Sequence, residues 1–102
     1  MAISLKRKEA IRQQHPLYGQ RPIEVSHVQD HFLGGTDDDE NLQAFTRPQH
    51  LIDHVRKATQ SQDWEIARRQ YGAARLIAKR MTPEEIEEAN RLLAQMPKVR
   101  GS

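Results

Sequence analysis

The histidines are the residues of this sequence whose type and spacing best suit chemistry. The chain of 102 residues contains five of them and no cysteine. His50 and His54 are four positions apart, so on a helix both rings project from the same face, one turn apart. Two imidazoles in that arrangement can hold one divalent metal ion on a rigid element. The alternative at this point is a pair of polar residues on a solvated helix face.

His27 begins a second pattern, a series of residue types at fixed offsets. Fourteen positions separate His27 from Asn41, and nine separate Asn41 from His50. Four segments make up the series: Glu24-Val25-Ser26-His27-Val28, Gly34-Gly35-Thr36-Asp37-Asp38, Glu40-Asn41-Leu42 and Arg47-Pro48-Gln49-His50, with His54 after them.

These segments resemble the HNH (His-Me finger) family of endonucleases, whose fold is the ββα-metal motif. The resemblance covers residues 23–55, about a third of the chain. It implies a metal-dependent enzyme that hydrolyses the phosphodiester bonds of double-stranded DNA. The implied cofactor is a divalent metal ion, with Mg²⁺ or Mn²⁺ expected and Zn²⁺ or Ni²⁺ as alternatives.

The resemblance also implies a role for each matching residue. His27 corresponds to the general base that takes a proton from the attacking water, and the ordinary pKa of histidine suits that task near neutral pH. Asn41 orients the base or its loop through side-chain hydrogen bonds. His50 and His54 hold the metal ion, and Ser26 stands at the position of a further metal ligand. The ion binds a phosphate oxygen and stabilises the leaving oxygen.

Ser26 departs from the family pattern, which has aspartate or a second histidine at this position. A neutral hydroxyl is a poorer ligand for a hard divalent cation than a carboxylate is. Three compensations stay open: weak ligation by Ser26, a carboxylate from Asp30 or Asp53, or two histidines completed by water. Taking Asp30-His31 as the pair instead leaves only ten positions to Asn41, and this register is rejected. His31 either lines the site or has no role.

The rest of the pattern predicts an α+β fold that is mostly α. We expect a short N-terminal helix over 5–14, strands over 23–28 and 42–46, and a helix from Pro48. Two C-terminal helices follow, over 63–80 and from the Thr82 N-cap to Pro97. We expect one domain over 1–102, with the motif at 23–55 and the helical pair at 61–96. The predicted core includes Trp64, Tyr71, Ile86 and Leu92.

Charge and composition bear on partners and location. The net charge is +2 at pH 7, and the basic residues fall mainly in two stretches, a distribution that suits contacts with DNA phosphates. The acidic run from Asp37 to Glu40 is predicted to be a solvated loop. The absence of cysteine fits a reducing compartment, and no apolar run approaches the length of a membrane span. We therefore expect a cytoplasmic protein with no membrane partner; the oligomeric state stays open. The candidate DNA-binding residues are Arg47, Arg56, Lys57, Arg68 and Arg69.

Three functional hypotheses follow. The first is a metal-dependent HNH-type endonuclease. The second, prompted by Ser26, is a degenerate HNH fold that binds DNA or protein without cutting. The third is a small helical interaction protein in which the histidine pair is incidental.

Overall fold

A computed structural model describes residues 3–96 of the chain. In this part of the chain the fold is α+β, with four α-helices and one two-stranded sheet, which confirms the predicted fold class. No helix in the described range is both long enough and apolar enough to cross a membrane. In chain order the elements are α1 (Leu5–Arg12), β1 (Ile23–His27), β2 (Leu42–Thr46), α2 (Arg47–Gln60), α3 (Trp64–Ala78) and α4 (Pro83–Gln95).

The chain divides into two compact units, Met1–Thr46 and Arg47–Ser102. The boundary lies where β2 ends and α2 begins, inside the 23–55 segment that resembles the HNH motif. The first unit contains α1 and the sheet, and the second contains the three longer helices.

The first unit is an antiparallel β-hairpin with a helix packed on it. β1 and β2 pair in a register that places Ile23 opposite Thr46 and His27 opposite Leu42. The Ser4 hydroxyl caps α1 by accepting a hydrogen bond from the Arg7 amide at 3.2 Å, which satisfies one of the unpaired amides of the first turn. Helix α1 buries Ile11, and Arg12 donates to the Ile23 carbonyl at 3.1 Å.

The second unit is a three-helix arrangement in which α2 packs against both α3 and α4. Its apolar core is formed by Leu51, Ala74, Ile77 and Ala89. Side-chain caps define where the last two helices begin. Asp63 accepts from two amides at the start of α3, and Thr82 forms a capping box with Glu85 at the start of α4, as its sequence predicts.

The prediction of which residues form the core of this unit was largely wrong. Trp64 is 74% exposed, Tyr71 45% and Ile86 43%, and Leu92 is half-buried. The inward face of α3 carries Gln70, Ala74 and Ile77 instead. Because Gln70 is buried, the inward face of α3 is turned away from the stripe of apolar residues that the sequence predicts. A pattern of apolar residues alone does not include a buried glutamine.

Most predicted element bounds agree with the structure to within two residues. The second strand is confirmed at Leu42–Thr46, while α1 ends at Arg12 and α3 at Ala78, slightly earlier than predicted. Pro97, predicted to end α4, lies outside the described residues.

Candidate functional site

Two ring nitrogens converge on one carboxylate oxygen in the loop that follows β1. The Nε2 atom of His27, at the end of the strand, lies 2.8 Å from Oδ1 of Asp37. The Nε2 atom of His31, in a single 3₁₀ turn, lies 2.6 Å from the same oxygen. The two ring centroids are 4.3 Å apart. We call His27, His31 and Asp37 the loop triad.

The electrostatics of the loop triad favour the ionised carboxylate. Hydrogen bonds from the His27 ring and then from the His31 ring hold the pKa of Asp37 below its ordinary value of 3.8. A carboxylate that accepts both ring hydrogens also selects the Nε2–H form of each neutral imidazole. The Asp37 side chain is 27% exposed, so it is not the freely solvated acid that the sequence predicted.

Asn41 fixes the loop that carries the triad. Its Oδ1 accepts from the Gln29 amide at 2.8 Å, and its Nδ2 donates to the carbonyls of Gln29 at 2.9 Å and Thr36 at 2.7 Å. The amide thus ties the residues just after His27 to the residue just before Asp37. Orientation of the loop by Asn41 is what the resemblance implies for this position.

The two glycines of the loop serve different geometric needs. Gly34 has φ +91°, a conformation that side chains with a Cβ rarely adopt. At Gly35 a Cβ would lie 1.8 Å from the Gln29 carbonyl oxygen and 2.9 Å from Nδ2 of Asn41. A side chain at position 35 would therefore collide with two of the groups that form the Asn41 bonds.

Helix α1 anchors the other side of the same loop. The Arg7 guanidinium donates to the Asp37 carbonyl at 2.5 Å and to Oδ1 of Asp39 at 2.7 Å. Asp37 is thus positioned through its own carbonyl by Arg7 and through the preceding carbonyl by Asn41. Three of the four acids in the predicted solvated run have specific partners: Asp37 with the histidines, Asp38 with the Thr36 hydroxyl and Asp39 with Arg7.

The helix pair, His50 and His54, lies on α2 in the second unit, as the spacing predicts. Their Nε2 atoms are 3.2 Å apart, and their ring centroids are 5.0 Å apart. Two nitrogens bound to one tetrahedral zinc ion at about 2.05 Å are separated by about 3.3 Å. The 3.2 Å separation is that of a hydrogen bond between the two rings, and it is also close to the separation of two ligands on one ion.

Gln70 of α3 completes this pair. Its Oε1 lies 2.6 Å from Nδ1 of His54, and Gln70 is 1% exposed. Because an amide oxygen only accepts, it holds the His54 hydrogen on Nδ1 and leaves the lone pair on Nε2, the nitrogen that faces His50. Buried acceptors of this kind orient the histidine ligands of metal sites. The donor chemistry of the helix pair therefore fits a divalent transition metal.

The other proposed metal ligands have less definite positions. Ser26 is buried in β1, opposite Gln43 in the register, and its role as a ligand stays a prediction. Asp53, one of the open alternatives, is 6% exposed and forms ion pairs with Arg56 at 2.8 Å and Lys57 at 3.0 Å. Those cations neutralise the carboxylate, so Asp53 has a structural role within α2. Asp30 caps the 3₁₀ turn of His31 through its carbonyl.

The candidate DNA-binding cations fall into two groups. Arg47 is half-buried in the second unit: its guanidinium donates to the Arg80 carbonyl at 3.1 Å and to Glu85 at 3.3 Å. Arg68 and Arg69 are exposed on α3, and Arg68 pairs at 3.3 Å with the equally exposed Glu65. Phosphate contact by the exposed arginines stays a prediction, whereas Arg47 links α2 to α4 through Glu85.

Sequence reasoning missed two residues that define these sites. Asp37 was assigned to a solvated loop, and Gln70 was not singled out. Gln70 carried a usable signal, since it lies three positions after Ala67 and four before Ala74, a polar residue on an apolar face that needs a buried partner. No signal in the sequence marked Asp37, because its position depends on the turn at Gly34 and on the Asn41 bonds.

The resemblance to HNH endonucleases has no counterpart in a broader comparison. No family model, no curated protein and no solved structure matches the chain.

Proposed function

We propose that the protein is a metal-dependent endonuclease of the HNH type, with a ββα-metal motif over residues 23–55. The single observation that carries this proposal is the position of His27: it ends β1, contacts a carboxylate, and is followed by a loop fixed by Asn41. Strand, loop, strand and helix follow one another along the chain in the order that this motif requires.

His27 acts as the general base. Asp37 lies 2.8 Å from Nε2, so it orients the ring that takes the proton from water. The carboxylate then stabilises the imidazolium that forms, as an aspartate does in a Ser-His-Asp triad. Asn41 and Gly35 keep the strand end and Asp37 in fixed positions, which reduces the reorganisation needed at the reacting atoms.

His50 and His54 are the residues that would hold the divalent ion. When bound, the ion supplies a positive charge for a phosphate oxygen and the leaving oxygen. Gln70 keeps His54 in the tautomer with a lone pair on Nε2. Double-stranded DNA is the proposed substrate, and the exposed Arg68 and Arg69 are the proposed phosphate contacts.

The first test is nicking of supercoiled plasmid by the purified full chain in Mg²⁺, Mn²⁺, Ni²⁺ or Zn²⁺. The wild type should cut, and His27→Ala should slow cleavage by about 10²–10⁴-fold, the usual contribution of general base catalysis. His15→Ala is the matched control, since it removes a histidine of the same unit outside the loop triad. Cleavage that persists at the wild-type rate in His27→Ala would exclude His27 as the base.

Asn41 offers a second test because its proposed role is positional. Asn41→Ala removes three hydrogen bonds from the loop and should lower kcat by about 100-fold, the effect of a small misplacement of a catalytic group. Asn41→Asp keeps the acceptor for the Gln29 amide but places a carboxylate oxygen against the carbonyls of Gln29 and Thr36, so it should lose at least as much activity as Asn41→Ala. If both variants cut at the wild-type rate although the Asn41 hydrogen bonds to the loop are lost, the loop does not position the base.

A non-catalytic DNA-binding module is the second candidate, and Ser26 is the observation that favours it. A buried serine stands where the family has a charged or imidazole ligand. One result would support this candidate: the wild type binds DNA with a steep salt dependence but does not cut it, while Ser26→Asp does cut. The natural chain would then have lost catalytic activity and kept DNA binding. Cleavage by the wild type excludes this candidate.

A further inference from the structure

The loop triad has one donor, the His31 ring, that the proposed hydrolytic mechanism does not use. That mechanism needs one base and one carboxylate, yet a second histidine, His31, shares the same oxygen of Asp37. One ligand atom from each of the three residues lies within 4.8 Å of the other two. We propose that His27, His31 and Asp37 form a binding site for a divalent transition-metal ion.

The distances require only small side-chain movements. The oxygen–nitrogen separations of 2.8 and 2.6 Å are hydrogen-bond lengths. Ligands sharing a tetrahedral ion at about 2.0–2.1 Å lie about 3.3 Å apart, so Asp37 would move outward by a few tenths of an ångström or more. The His31 side chain is 58% exposed, which gives it room to turn toward an ion.

Hydrogen bonds hold the loop in this conformation without a bound ion. Gly35 donates to the Asp30 carbonyl at 3.0 Å, while Asn41 and Arg7 hold the chain on either side of Asp37. A site whose ligands are fixed by such bonds loses little conformational entropy on binding. The neighbouring acids Asp38 and Glu40 also raise the local concentration of cations.

The donor types select the class of ion. Imidazole nitrogen suits Zn²⁺, Ni²⁺, Co²⁺ and Fe²⁺, whereas Mg²⁺ prefers oxygen ligands and retains its water. Two histidines and one carboxylate leave at least one coordination position open. Binding converts each ring from the Nε2–H form to the Nδ1–H form, because the Nε2 lone pair must face the ion. An ion in the loop triad therefore leaves His27 without a lone pair to act as base, so His27 serves as ligand and as base in different states of the protein. The chemistry of the loop triad therefore predicts binding of Zn²⁺ over Mg²⁺.

The inference does not depend on the proposed nuclease activity, and its readout is binding alone. Zinc titration of the wild-type protein is followed by NMR of the histidine ring nitrogens, which resolves each ring by residue. We expect the Nε2 signals of His27 and His31 to shift together on addition of Zn²⁺, with no shift on addition of Mg²⁺. Zinc saturation that leaves both rings unchanged would overturn the proposal, as would a complete lack of zinc binding.

Calorimetry of variants supplies an independent measurement. In a His50→Ala background, which removes one member of the helix pair, Zn²⁺ should bind once per chain. His31→Ala and Asp37→Asn should each weaken that binding by about 100-fold or more, since loss of even an outer contact costs 10–100-fold. His15→Ala is the control and should bind as its parent does. Equal affinity in the parent, His31→Ala and Asp37→Asn would refute the site, with circular dichroism used to verify that each variant is folded.

Discussion

The loop triad and the helix pair both bring histidine nitrogens together, but they are assembled by different means. In the helix pair a four-residue spacing on α2 sets the geometry, and one buried amide, Gln70, selects the tautomer. In the loop triad the geometry comes from a glycine turn, three bonds of Asn41 and the Arg7 contact. A local spacing can be recognised in a sequence, whereas a network of loop bonds cannot. The two sites should therefore respond differently to mutation.

The largest expected effect is at Gly35. In Gly35→Ala the new Cβ would lie 1.8 Å from a backbone oxygen and 2.6 Å from its carbon, and a backbone contact cannot move aside as a side chain can. We expect a loss of about 3 kcal/mol or more in the free energy of unfolding, measured by denaturant titration. Zinc binding to the loop triad should be lost, while the helix pair keeps its ring contacts.

Gly72→Ala is the matched control for that variant. Gly72 lies inside α3 with nothing within 4 Å of an added Cβ, so alanine should stabilise the protein by about 0.5–1 kcal/mol. Equal effects of the two substitutions would show that the close approach at Gly35 does not shape the loop.

A smaller effect, confined to the helix pair, is expected from Gln70→Met. The substitution keeps the volume but leaves the Nδ1 hydrogen of His54 without its acceptor in a buried position, at a cost of about 1–3 kcal/mol. Metal affinity of the helix pair should fall by about 10–100-fold. Zinc titration followed by NMR should show the loss at His50 and His54 and wild-type behaviour at His27 and His31. Loss of binding at all four rings would mean that the two sites are not independent.

The smallest effect is a pH dependence that belongs to the loop triad alone. The pKa of Asp37 is lowered in the folded state, so in the acid range this carboxyl binds fewer protons in the folded protein than in the unfolded chain. The stability from Asp37 is fully present above its ordinary pKa and is lost as the pH falls through the lowered folded-state value. The unfolding midpoint of Asp37→Asn should therefore depend less on acid pH than that of the wild type.

Asp38→Asn controls for the loss of a negative charge in the same loop, since it keeps both histidine contacts of Asp37. If Asp38→Asn flattens the acid dependence as much as Asp37→Asn does, the dependence does not arise from the histidine contacts.

The sequence predicted the parts of the fold that local patterns determine. The α+β class, the second strand and the capping box at Thr82 follow from turn residues, β-branched runs and cap preferences. The helix pair followed from spacing alone. Trp64 and Tyr71 were misassigned to the core because the buried face of α3 is centred on a polar residue whose partner lies on another helix. Asp37 was missed because loop partners depend on a turn that no periodic pattern encodes.

The hydrogen bonds of the Asn41 side chain determine which chemical conditions can open the loop. The Asn41 amide joins residue 41 to residue 29, so it closes a ring of twelve positions along the backbone. Such closure reduces the conformational entropy of the loop, as a crosslink would. Extracellular proteins often achieve it with a disulfide, and many small domains use a zinc knuckle. Here hydrogen bonds alone hold the ring, so reductants and chelators, which open those other crosslinks, should leave this loop closed.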